Sequence, residues 1–171
     1  MNAAVLLIPL FLIRYGLPAF VNKSALPRAA HFPPMQGREK LMFFIYQLSS
    51  VFILVYMFFL KAAIDSAVSK AGVCVYIAGT LLFAVSTLSF SKSDGGVNKD
   101  GMYRISRNPM YIAYFVYFLS CGLITQAPLL LAMVCVFQIS SHWVILAEER
   151  WCIRTFGDEY RQYMNTVRRY I

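Results

Sequence analysis

The sequence predicts an all-α, polytopic membrane helix bundle of about five transmembrane helices, closed by a C-terminal helix on the cytosolic side. Three observations carry this. Hydrophobic residues make up 59 % of the 171 positions and charged residues only 14 %, against about 25 % charged in a soluble domain. The apolar residues gather in runs of about 20, the length that crosses a hydrocarbon core at 1.5 Å per residue. The net charge of +8 sits in short segments between those runs.

The runs are Ala3 to Val21, Leu41 to Leu60, Gly72 to Phe90, Pro109 to Thr125 and Pro128 to Ala147. The first is interrupted by Pro9, Arg14 and Pro18, and the second and third carry no charge. Only Gln126 and Ala127 separate the last two runs, so these must form an antiparallel helical hairpin. Pro109 and Pro128 suit the first turns of their helices, where a missing N–H costs nothing. The N-terminus lacks a basic region before its apolar stretch and carries Arg14 within it, so it reads as a retained membrane segment rather than a cleaved signal. The whole, residues 1–171, reads as one integral membrane domain. Residues 1–100 hold three N-terminal spans, and residues 101–171 the hairpin and C-terminal helix.

Lysine and arginine follow the positive-inside rule. Thirteen lie in the segments after the first, third and fifth runs, two in the segment after the second, and none in the link after the fourth. That distribution predicts an outer N-terminus and a cytosolic C-terminus in a multi-pass protein; a bacterial or archaeal cell membrane is the expected setting. No basic face is interleaved with aromatics, so nucleic acid is not expected as a partner. Cys74, Cys121, Cys135 and Cys152 form no C-x-x-C pair, and His31 and His142 are the only histidines, so neither a disulfide framework nor a metal site is expected.

The hairpin decides where polar groups meet. With its tip outside, its open ends lie at the cytosolic surface, which makes Arg107-Asn108-Pro109 neighbours of Glu148-Glu149. On the fifth run, Gln138, His142 and Glu149 fall within roughly 40° of one another at 100° per residue, with Ser141 and Glu148 on an adjoining stripe. Polar groups inside a span ordinarily face the bundle interior or a watery cavity, so this face is expected to line a pocket open to the cytosol. Tyr111, Phe115 and Phe118 form an aromatic stripe on the fourth run, which also suits plain packing. His142 suits either an interhelical hydrogen bond or a direct role in chemistry. Arg14 either snorkels to the surface or faces the cavity and pairs with Glu149 or a substrate acid. Arg14, His142 and Glu149 are the candidate catalytic residues. The pocket suits a charged, amphipathic ligand: a nucleotide, a lipid head group, or S-adenosylmethionine, whose ammonium seeks a carboxylate and whose sulfonium seeks aromatic faces.

The segment GMYRISRNPMYIAY (Gly101 to Tyr114), a helical hairpin and EERWCIRTFGDEYRQYMNTVRR (Glu148 to Arg169) follow one another in that order. Together they resemble the isoprenylcysteine carboxyl methyltransferase family and its phospholipid methyltransferase relatives, whose pattern is R-H/N-P-x-Y, a hairpin, E-E and F-G-x-x-Y-x-x-Y. The resemblance covers under half of the chain. It implies S-adenosylmethionine as methyl donor, held by Arg107, Asn108, Pro109, Tyr111, Glu148, Glu149 and Tyr160. It also implies that Phe156-Gly157, Tyr160 and Tyr163 belong to a cytosolic helix closing over the donor. The implied acceptor is a lipophilic or lipidated molecule arriving from the bilayer, foremost a carboxylate, which needs no general base. A phospholipid amine would need one. Asn108 replaces the family's frequent histidine and cannot act as a base near neutral pH. Ala113 stands where the family often has glycine. Membrane sterol reductases share a similar hairpin but bind NADPH and are longer. A non-enzymatic scaffold would not need paired acids facing Arg-Asn-Pro.

Overall fold

A computed structural model describes all of residues 1–171 and contains no strand, only an isolated bridge between Asn2 and Lys61. The helices are α1 (Ala3–Val21), α2 (Ala25–Ala29), α3 (Arg38–Tyr56), α4 (Ala67–Ser91), α5 (Pro109–Thr125), α6 (Pro128–Phe156) and α7 (Asp158–Thr166). Four of them, α1, α3, α4 and α6, are long and apolar enough to cross a membrane, and α5 adds a shorter apolar helix of 17 residues. The protein is an integral membrane helix bundle.

Local chemistry sets each boundary. Asn2 caps α1 by accepting from the Ala4 N–H at 2.8 Å. Within α1 the turn Leu12–Gly16 is wound as a π-helix immediately before Pro18. A proline there removes one amide and crowds the carbonyl four residues earlier, so the chain widens by one residue to pass it. Ser66 and Ser69 form a reciprocal capping box that starts α4. Gln126 turns the hairpin in the left-handed conformation, with φ 50° and ψ 35°, and Pro128 opens α6 at once.

Small residues let α4 and α5 meet closely. A Cβ on Gly72 would lie 2.9 Å from the Ile124 amide nitrogen, and one on Gly79 would lie 3.1 Å from that of Tyr117. The seven-residue steps run in opposite directions, so the two helices are antiparallel with backbones in contact, as small residues permit between membrane helices. Elsewhere α3 packs along α6, and α1 packs on α4 and α5. The Tyr76 hydroxyl donates to the Leu6 carbonyl at 2.8 Å, and the Tyr117 hydroxyl reaches the same oxygen. These bonds pin the start of α1, wound as a tight 3-10 turn over Ala3–Leu7, into the core.

The two ends of the bundle differ. At the hairpin-tip end, the Ala3 N–H donates to the Leu60 carbonyl at 3.0 Å and the Ala62 N–H to the Met1 carbonyl at 2.9 Å. The opposite end gathers the basic segments. At 29 residues α6 is about 43 Å long, well beyond a hydrocarbon core of about 30 Å. The expected run ended at Ala147, but the helix continues to Phe156, because nothing breaks it before Gly157, whose φ of 58° and ψ of −128° suit glycine alone. Its last turns therefore project past the apolar slab and carry Glu148 to Phe156 into the region where the basic loops fold.

A cavity at the basic end of the bundle

The hairpin brings its two ends together. The Arg107 Nη2 lies 3.0 Å from Glu149 Oε1. Both groups are enclosed, with side-chain exposures of 8 % and 4 %. The second partner of Glu149 was not anticipated: Arg169 grips it with Nε at 3.0 Å and Nη2 at 2.8 Å from Oε2. The neighbouring carboxylate points elsewhere. Glu148 Oε1 accepts from the Tyr111 hydroxyl at 2.6 Å, which joins the first turn of α5 to α6.

Beside these groups opens a cavity of about 550 Å³, within the ~300–1,000 Å³ range of small-molecule sites. Its walls come from nearly every element. Arg107, Asn108, Tyr111 and Tyr114 line it from the start of α5, Glu148, Trp151, Cys152 and Phe156 from α6, and Tyr160 and Tyr163 from α7. Arg14 enters from the π turn of α1, and Tyr46 from α3. Arg28, His31 and Phe32 come from the segment after α1, and Gly95, Gly96, Asn98 and Tyr103 from the segment between α4 and α5. Those two segments are tied together by Arg28, whose Nη2 donates to the Ser93 carbonyl at 2.6 Å.

The candidate residues divide accordingly. Arg14, Arg107, Asn108, Tyr111, Glu148 and Tyr160 share the cavity. Pro109 is buried at the first position of α5 and sets the helix start rather than lining the space. Glu149 is adjacent but turned away, closed between two guanidinium groups. His142 lies outside the lining, its Nδ1 2.6 Å from the Tyr170 hydroxyl. His142 and Glu149 thus face the C-terminal tail and not the cavity, and Gln138 does not line the cavity either. The adjoining stripe delivers Glu148 to the cavity, about 100° round the helix. Arg14 pairs with no carboxylate: its Nη2 donates to the Ala29 carbonyl at 2.6 Å, and its guanidinium lies 6.0 Å from the Tyr114 ring centre.

The tail explains the reversal. It runs extended past α7 and is stitched to the residues before α5. The Arg107 N–H donates to the Arg168 carbonyl at 3.0 Å, and Asn108 Nδ2 to the Arg169 carbonyl at 3.1 Å. The Arg107 side chain also donates to the Met164 carbonyl at 3.1 Å. The α7 helix is fixed by Tyr163, whose hydroxyl donates to the Tyr103 carbonyl at 2.6 Å. Burial pushes the Tyr163 phenol up to about 12 and the Tyr103 and Tyr160 phenols further still, so all three remain neutral donors at physiological pH. Glu149 holds the Arg169 guanidinium protonated above its ordinary range.

Sequence reasoning missed Arg28 on the short α2, Tyr103 and the Gly95-Gly96 segment between α4 and α5, all in stretches too short for periodicity to report on facing, and Trp151 on the part of α6 beyond the expected apolar run. Arg28 was visible only as one of the basic residues of its side.

Comparison with known proteins adds a family to this geometry. Residues 79–159 match the phospholipid methyltransferase family, a stretch that begins in α4 and ends in α7 and so contains the whole hairpin. The match covers just under half of the chain, and the likeness to the phospholipid methyltransferases lies in that stretch. A curated relative, methanethiol S-methyltransferase 1 of Bradyrhizobium diazoefficiens, is 39 % identical over 66 residues. The aligned stretch covers 39 % of this chain and 22 % of that protein, so the relative is far longer than what the two share. The expected resemblance to a membrane methyltransferase family therefore holds.

Proposed function

We propose that this protein is a membrane methyltransferase that uses S-adenosylmethionine and methylates a lipophilic acceptor that reaches the cavity from the bilayer. The observation that carries the reading is the convergence on one cavity of Glu148, held by Tyr111, with Arg107, Asn108 and Tyr160. When bound, S-adenosylmethionine supplies an electrophilic methyl group on a sulfonium sulfur, which keeps the electron pair as the methyl leaves. The residues present fit that ligand. Glu148 has one oxygen engaged by Tyr111 and no other hydrogen bond, which leaves an acid for an ammonium group. Tyr46, Tyr103, Tyr111, Tyr114 and Trp151 offer ring faces to a sulfonium and an adenine. Asn108 Oδ1 accepts no hydrogen bond within the protein.

In this reading residues 101–171 hold the donor and residues 1–100 contribute the acceptor side. Glu149 acts by positioning: with Arg169 it fixes Arg107 and the loop that carries Asn108. Pro109 fixes where that loop ends. The basic end faces the cytosol, in keeping with the distribution of lysine and arginine. A carboxylate acceptor is the first choice, because it arrives ionised and the chain has only to align it and exclude water. His142, bonded to Tyr170 outside the cavity, is then not required for chemistry.

A thiol or amine acceptor is the second reading, favoured by the names of the aligned relative and of the family. Such an acceptor must lose a proton, and Glu148 is the one carboxylate on the cavity wall. The test is calorimetric titration of the detergent-solubilised protein with S-adenosylhomocysteine, then incubation with isotope-labelled donor and matched dodecyl acids, thiols and amines. Absence of binding at millimolar ligand overturns the proposal, and the labelled product identifies the acceptor class.

A further inference from the structure

Arg14 stands within a membrane span, and an ionisable group there ordinarily has a partner or a task. Its one hydrogen bond is to a backbone carbonyl, that of Ala29. Arg28, on the same cavity wall, donates to the carbonyls of Ser93 and Ser24 and lies 5.2 Å from the Phe90 ring centre. Neither arginine belongs to any of the six ion pairs of the structure. Each guanidinium has five donors in a planar fork, so both keep donors to offer.

The charge balance of the cavity points the same way. Among its lining residues the only acid is Glu148, against Arg14, Arg28 and Arg107. Arg107 is neutralised from behind by Glu149, but that carboxylate is shared with Arg169, so the cluster as a whole remains cationic. Glu148 offsets one of the two remaining arginines. A methyl donor with an ammonium, a sulfonium and a single carboxylate brings a further net positive charge. Partly enclosed like charges repel strongly at low effective dielectric, so the loaded cavity lacks an anion.

We propose that the cavity recognises its acceptor by an anionic head group, a carboxylate or a phosphate, held by Arg14 with Arg28 beside it. The site takes anionic amphiphiles and discriminates against neutral ones of the same chain length. The π turn ahead of Pro18 positions Arg14 for this, widening α1 at the level of Tyr114 and Tyr46. The inference rests on the proposed function only in calling the ligand the acceptor.

The test is binding without methyl donor, in a non-ionic maltoside at low ionic strength. Dodecanoate, dodecyl phosphate and 1-dodecanol are titrated into the wild-type protein, R14Q, R14K and R28Q, each checked for an unchanged thermal transition. At least one anion is expected to bind about tenfold or more tighter than the alcohol. R14Q is expected to bring that ratio below about threefold, R14K to keep most of it, and R28Q to fall between. The stronger of the two anions identifies the head group. S-Adenosylhomocysteine affinity should change less than about threefold in R14Q. The proposal is overturned if the wild type shows no anion preference, or if R14Q keeps it. It is also overturned if R14Q loses S-adenosylhomocysteine and keeps the anion, since the guanidinium then serves the donor's carboxylate. Should S-adenosylhomocysteine fail to bind any variant while the preference for anions persists, methyl transfer falls and the anion site stands. If R14Q does not fold, the R14K and R28Q ratios against wild type decide, an unchanged ratio in R28Q counting against the proposal.

Discussion

Arg107 and Glu149, 42 residues apart in sequence, meet at 3.0 Å across the open end of a hairpin whose link is two residues long. Both are nearly free of solvent, and Arg169 completes the cluster from the tail. Removing one member leaves an uncompensated buried charge, which costs about 3–5 kcal/mol. Glu149→Ala should therefore lower the thermal transition of the purified protein by several degrees. The double variant Arg107→Met with Glu149→Leu should recover part of that loss. Single and double losses that simply add would mean the two groups do not interact.

Glu148 behaves differently, because it faces a cavity instead of a basic partner. Glu148→Gln keeps an oxygen for the Tyr111 hydroxyl and removes only the charge. The thermal transition should hold within about 1 kcal/mol of stability, while S-adenosylhomocysteine affinity falls about tenfold or more, in line with a hydrogen bond to a charged group worth about 1.5–3 kcal/mol. Calorimetric titration decides. Affinity equal to wild type would remove Glu148 from the donor site.

Arg169 holds Glu149, which in turn holds Arg107. Arg169→Ala is expected to weaken S-adenosylhomocysteine binding severalfold through movement of Arg107 and Asn108, and Arg169→Lys to restore part of it, since an ammonium keeps the charge but not the fork of donors. Rescue by lysine separates this from general loss of packing, which would leave both variants alike.

His142 tests the facing of α6. With its ring bonded to Tyr170 and outside the cavity, His142→Ala should change kcat by less than about fivefold at saturating substrates. A drop beyond 100-fold with an unchanged KM would assign it a part in the reaction.

The Gly72 and Gly79 seam tolerates no side chain. Gly79→Val adds atoms where a Cβ alone would already sit 3.1 Å from a backbone nitrogen. Overpacking of this kind costs about 1–3 kcal/mol or more, and thermal unfolding in detergent should show it. Cys74→Val, on an exposed face of the same helix, should leave the transition in place.

Much of this was legible in the sequence for a physical reason: a two-residue link leaves helices no choice of partner or direction. Span positions follow from the apolar runs, and the hairpin and the meeting of Arg107 with Glu149 follow from that link. Facing did not follow so directly. Gln138, His142 and Glu149 share a stripe by periodicity, but periodicity does not say what covers a stripe, and here an extended tail meets His142 and Glu149. The tail has no repeat to announce it, and its bonds to Arg107 and Asn108 run through backbone carbonyls that carry no sequence signal. The loops over the cavity were silent for the same reason. Arg14 was noticed as an anomaly in an apolar run, yet only three-dimensional placement distinguishes a cavity-facing arginine from one that snorkels.

The closeness of α4 to α5 has a mechanical side. Where backbones touch through glycines, one helix cannot slide along the other without collision, so that half of the molecule is a stiff keel. The α3–α6 contact carries Glu39 and Arg150 as a clasp at the basic end, 2.5 Å apart. A guest bulkier than the cavity would have to part helices elsewhere than at this glycine seam, and the clasp is one place to loosen or weld.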